Sequence, residues 1–175
     1  LAMIKMRRTP FALLFAAAFA PAAAQAQHSQ VSAVAVDPND ASIVWVCNRD
    51  NNSVSRIDTD TQGVTEIAVG VNPRSIAFSD DGTQILVANQ RGNIPVDENI
   101  VLGFTGMEFG TVSVINNATQ LVTSTITDVG VEPYGIAYAP NGEYFAVTGF
   151  RSGTVKFYNA TSLSLIMTHQ YLHNL

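Results

Sequence analysis

The 175-residue sequence is 47% apolar and 13% charged. That is long enough for one sizeable core and too apolar for a disordered tail. Fourteen acidic residues oppose nine Lys and Arg, which argues against non-specific nucleic-acid binding. Cys47 is the one cysteine, so there is no disulfide framework, no Cys-x-x-Cys pair and no covalent haem motif.

The chain opens with a basic stretch (Lys5, Arg7, Arg8), an apolar run from Phe11 to Ala20, and a small-residue site at Ala24-Gln25-Ala26. These are the three parts of a secretory signal peptide over residues 1–26. The apolar run is too short for a membrane anchor and meets Pro21 at once, so no span is expected after cleavage. Removal of the leader leaves six basic against fourteen acidic residues, a net charge near −8. The expected destination is the periplasm or the outside of the cell.

Residues 27–175 read as three copies of one pattern, at about 31–70, 71–130 and 131–168. The middle copy is the plainest. Asn72-Pro73 leads into Ser75-Ile76-Ala77-Phe78, a Ser-Asp-Asp-Gly turn at 79–82 follows, and Ile85 to Ala88 ends at Asn89. An Asp-Gly turn between apolar runs is a strong hairpin signal, because Gly takes positive φ without a Cβ clash. The first copy has Val34-Ala35-Val36, the turn 37–40, Ile43 to Cys47 and Asn48. The third has Ile136-Ala137-Tyr138, the turn 139–142 and Tyr144 to Thr148, with Gly149 where the others have Asn. Third strands are expected at 53–57, 111–115 and 154–158, and fourth strands at 64–69, 121–129 and 162–168. Four short strands per copy, at a period of about forty residues, predict an all-β propeller built from four-stranded blades. The runs Ile43 to Val46 and Ile85 to Ala88 are apolar on both parities, which predicts strands covered on both faces. The middle copy carries an insertion at about 92–108.

Leu86-Val87-Ala88-Asn89, Trp45-Val46-Cys47-Asn48, the run at 73–82 and Gly110 to Ile115 together resemble the YVTN-type β-propeller repeat. That family includes secreted, surface-layer-like and lactonase-like propellers. The resemblance implies the fold rather than an activity. Propellers close with about four to eight blades, so three copies imply the N-terminal part of a larger, about seven-bladed propeller. The remaining blades are then expected in the same chain.

Candidate binding residues are those that differ between copies where the framework does not require it. Arg74 and Tyr134 are equivalent positions after the Pro and are expected to line the axial mouth. Arg49, Arg91 and Arg151 fall in the loops between second and third strands, where a ring of guanidinium groups suits carboxylates or phosphates. Asp97, Glu98 and Asn99 in the insertion offer oxygen ligands for a cation, but their spacing matches no calcium loop and no metal site is assigned. Cys47 is expected in the core. The Asn-x-Thr triplets at 117 and 159 are read as turn caps. No cofactor motif is present. The leading expectation is a non-enzymatic scaffold that presents loops to a protein or a small anionic ligand. The alternative is a lactonase-like or quinoprotein-like enzyme with an axial active site.

Overall fold

The computed structural model describes residues 33–91 and 109–171. The expected leader at 1–26 and the expected insertion at 92–108, with Asp97, Glu98 and Asn99, lie outside the described residues. The described chain forms three four-stranded antiparallel sheets, each ordered as in the sequence. The first holds β1 (Val34–Asp37), β2 (Asp40–Asn48), β3 (Ser53–Asp58) and β4 (Val64–Ala68). The second holds β5 (Pro73–Phe78), β6 (Gln84–Asn89), β7 (Thr111–Asn116) and β8 (Leu121–Ile126). The third holds β9 (Pro133–Tyr138), β10 (Tyr144–Gly149), β11 (Thr154–Asn159) and β12 (Leu165–Gln170). These sheets are the expected blades, in an arc.

The turns follow from their residues. Gly82 and Gly142 each take φ of +68°, and a carboxylate or amide oxygen holds each turn. Asp81 Oδ1 accepts from the Thr83 N–H at 3.0 Å, and Asn141 Oδ1 accepts from the Glu143 N–H at 3.2 Å. The first turn is one residue longer. Trp45 lies opposite Ala35, whereas Leu86 lies opposite Ala77, and the extra residue is absorbed by a register shift at Val36/Asp37. Two fourth strands differ from expectation. β8 stops at Ile126, and β12 starts at Leu165 rather than 162. The second shift has a local cause, because Asn159 Oδ1 caps a turn by accepting from the N–H groups of Thr161 and Ser162. In the middle sheet the capping residue is Asn116, which accepts from Thr119, and not Asn117.

Burial on both faces holds fully only for the middle blade. Ile85, Leu86, Val87 and Ala88 are all buried. Ile85 and Val87 join Ile43, Trp45 and Phe78 in one cluster, while Leu86 and Ala88 join Phe145, Val147 and Tyr158 in another. In the first blade Ile43 and Trp45 are buried but Val44 and Val46 are half-buried, because that sheet has a described neighbour on one side only. Its other face shows Val34 and Val36 at 48% and 46% exposure. Each shared wall is packed with apolar side chains: Trp45 stands edge-on to Phe78 across the first boundary, and Phe145 stacks on Tyr158 within the third blade at the second.

Candidate functional site

Pro73 lies opposite Asn89, and Pro133 opposite Gly149. First strands therefore start, and second strands end, on the same rim, which carries both sets of loops expected to be functional. Beneath it each blade ties its second strand to its third by side chains. Asn89 Nδ2 donates to Thr111 Oγ1 and Ser113 Oγ, both at 3.0 Å, and Ser113 Oγ accepts from the Gly70 N–H. Asn48 Nδ2 donates to Ser53 and Ser55 in the same way. The third blade has Gly149 here, and Ser152 fills the gap. Its Oγ bonds Thr154 Oγ1 at 2.7 Å and accepts from the Val131 N–H. A Cβ on Gly149 would stand 2.2 Å from that oxygen, so the glycine makes room for the replacement. These ties fix the loops above them.

Arg74 is the second residue of β5, the first strand of the middle blade, and Tyr134 holds the same position in β9. Arg74 Nη2 donates to Tyr134 Oη at 2.7 Å, with the guanidinium carbon 4.4 Å from the ring centroid. Ser75, fully buried, anchors the pair from below by donating to the Tyr134 carbonyl at 2.8 Å. The two residues expected to share the axial mouth are thus in contact. Together with Arg49, Pro73, Ala33 and Cys47 they line a cavity of about 310 Å³. No carboxylate lines it among the described residues. Two guanidinium groups on one small cavity repel unless an anion lies between them.

The other two arginines stand apart. The N–H groups of Arg91 and Arg151 donate to the carbonyls of Val71 and Val131, which confirms that they are equivalent. Neither lines the cavity. Arg151 is engaged by Glu132, with Nε 3.3 Å from Oε1. Five expected residues therefore resolve into a group of three (Arg49, Arg74, Tyr134) and two flanking loop arginines. Cys47 corrects the reading as a core residue. It is half-buried, packs on the core with one side and lines the cavity with the other, because β2 ends where the axial wall opens. Burial pushes its thiol up to about 12, so it is neutral at physiological pH. Phe150 was missed. It is 71% exposed and packs against Tyr134 with ring centroids 6.0 Å apart. Comparing copies could have found it, since it follows Gly149 as Arg49 follows Asn48.

The opposite rim is acidic. Its turns carry Asp37, Asp58, Asp80, Asp81 and Glu143 with no Lys or Arg among the described residues. An approaching anion is thus repelled at the turn rim.

Three blades whose first strands lie innermost define a β-propeller. The chain belongs to the lactonase, 7-bladed β-propeller family, whose model matches residues 5–96. Among solved structures it is similar to Kuenenia stuttgartiensis hydrazine synthase at 25% identity and a TM-score of 0.61, over 77% of this chain and 34% of that one. It is similar in fold to a functionally unknown protein from Desulfotomaculum acetoxidans DSM 771 (20% identity, TM-score 0.60, 79% of this chain and 41% of that one). The same holds for the dihydro-heme d1 dehydrogenase NirN in complex with DHE (16% identity, TM-score 0.59, 76% and 25%). The chain spans between a quarter and about two fifths of the length of these structures. No curated protein matches it by sequence.

Proposed function

We propose that this chain is part of an exported propeller scaffold that binds a small anionic ligand, a carboxylate or phosphate compound, at the axial mouth. One observation carries the reading: Arg49 and Arg74 line a single cavity that holds no carboxylate among the described residues. Tyr134 orients Arg74 by stacking and hydrogen bonding, which pre-organises the guanidinium for bidentate contact. The basic leader at 1–26 supports export to the periplasm or beyond, and the repeat resemblance supports assignment to the YVTN type within the family. The remaining blades of the ring would complete the far side of the mouth. Isothermal titration with inorganic phosphate and with citrate tests the reading. Arg49→Gln and Arg74→Gln should each weaken binding about tenfold or more, and Arg151→Gln should change it little. Equal losses at all three positions would contradict a defined site.

Family membership favours a second reading, hydrolysis of a lactone at the same mouth. The arginines would then hold the carbonyl or an anionic substituent. No His, Asp or Glu lines the cavity among the described residues, so the water-activating group would come from elsewhere in the ring. Turnover of a sugar lactone that is lost in Arg74→Gln would replace the scaffold reading with this one.

A further inference from the structure

The two described blade boundaries are built alike, and one of them is left unfilled at the turn rim. Between the first and second blades, Asn117 Nδ2 donates to Asp37 Oδ2 at 2.7 Å and to the Gly82 carbonyl at 2.9 Å. Asn39 Nδ2 donates across the same boundary to the Asp81 carbonyl at 2.9 Å and lies over Gly82, where a Cβ would stand 2.3 Å from it. Side-chain amides thus close this cleft. Between the second and third blades the framework is the same. Ala160 N–H donates to the Glu143 carbonyl as Asn117 N–H donates to that of Thr83, so Ala160 is the counterpart of Asn117. It has no amide to offer. The turn of the middle blade presents Asp80 and Asp81 instead of an Asn, and a carboxylate cannot donate. Among the described residues, nothing comes within 4 Å of where a Cβ on Gly142 would stand, although the equivalent Gly82 is covered. The result is a cavity of about 320 Å³, with Asp80, Asp81, Gln84 and Tyr138 among its walls. Tyr138 donates to Gln84 Oε1 at 3.2 Å at its back.

We propose that this cleft binds a small organic cation whose N–H groups replace the missing amides, a guanidinium or primary ammonium compound. The turn carbonyls of the filled boundary have counterparts here at Asn141 and Gly142 without amide donors, and Asp80 and Asp81 supply carboxylates although Ser79 holds the place of Asp37. The carboxylates of Asp80 and Asp81 have no cationic partner among the described residues. A guanidinium presents a planar fork of donors, as the Asn117 amide does toward a carboxyl group and a carbonyl at once. The volume holds roughly ten waters and stands at the lower end of ligand pockets, so the ligand is small. The site is independent of the arginine mouth, which lies on the other rim and takes the opposite charge.

Titration of the folded protein with methylguanidinium, followed by amide NMR, tests this. Saturable shifts are expected at Gly142, Ala160 and Thr161. Tetramethylammonium carries the same charge without N–H donors and should leave these signals unmoved. Ala160→Asn places in this cleft the residue that closes the other one. It should abolish the shifts and raise the melting temperature. The doubly neutralised D80N/D81N variant keeps the cavity and should weaken binding about tenfold or more. No saturable shift, equal shifts with tetramethylammonium or Ca²⁺, or full binding by Ala160→Asn would each overturn the proposal.

Discussion

Asn89 is completely buried beneath the rim, and replacing it with Ala measures what holds the loops in place. Its amide makes two hydrogen bonds, each worth about 1 kcal/mol net. Truncating a fully buried side chain adds about 1 kcal/mol for lost packing. Its Oδ1 is buried without a partner among the described residues, so removing that atom returns about 1 kcal/mol. Asn89→Ala should therefore destabilise by about 2 kcal/mol. Asn48 makes the same two contacts in the first blade but is only half-buried, so water can replace its amide. Asn48→Ala should cost about half as much. Equilibrium urea unfolding of both variants gives the comparison, read as a midpoint shift at constant slope. A loss for Asn48→Ala equal to or above that for Asn89→Ala would refute the argument that burial sets the value of this tie.

Three further outcomes follow from the same geometry. Gly82→Ala and Gly142→Ala meet the same positive φ, which costs about 1 kcal/mol. Gly82→Ala also collides with Asn39 and Pro38, so its melting temperature should fall clearly further; equal losses would show that the turns are not packed differently. Hydrogen bonds from Thr61 hold the Asp58 carboxyl below its usual value, and those from Ser79 and Thr83 do the same for Asp81. A lowered folded-state value contributes stability above about pH 4 that is lost as pH falls through the folded value. An acid titration should thus show wild type losing stability more steeply below about pH 4 than the D58N/D81N variant. Iodoacetamide at pH 8 should modify Cys47 slowly in the native protein and rapidly in urea, because burial keeps the thiol protonated; rapid native labelling would place Cys47 in an open, activating environment.

The blades were legible because each local signal repeats. Asp81-Gly82 and Asn141-Gly142 mark turns by backbone preference alone, and Asn48 and Asn89 mark where second strands end. What the pattern hid was which faces have neighbours. Ile43 to Val46 and Ile85 to Ala88 read alike, yet only the latter is enclosed on both sides, since burial depends on the adjacent sheet. At the candidate site, comparing copies picked out Arg74 and Tyr134, which lie in contact. The same comparison placed Arg49, Arg91 and Arg151 on one rim but not their unequal surroundings. Arg49 faces a cavity, while Arg151 is held by Glu132, a partner that no spacing rule points to. Ser152 replacing the Asn tie in the third blade was equally hidden, because the substitution moves the polar atom three residues along the chain.

The claim that Arg49 and Arg74 form one anion site is tested most directly by NMR of the arginine Nε–H groups during a phosphate titration. Signals of Arg49 and Arg74 should shift together and saturate with one dissociation constant, while that of Arg151 stays nearly fixed. Unsaturated drift of all the rim arginines together would mean that the rim only screens anions, and it would contradict a built site at the axial mouth.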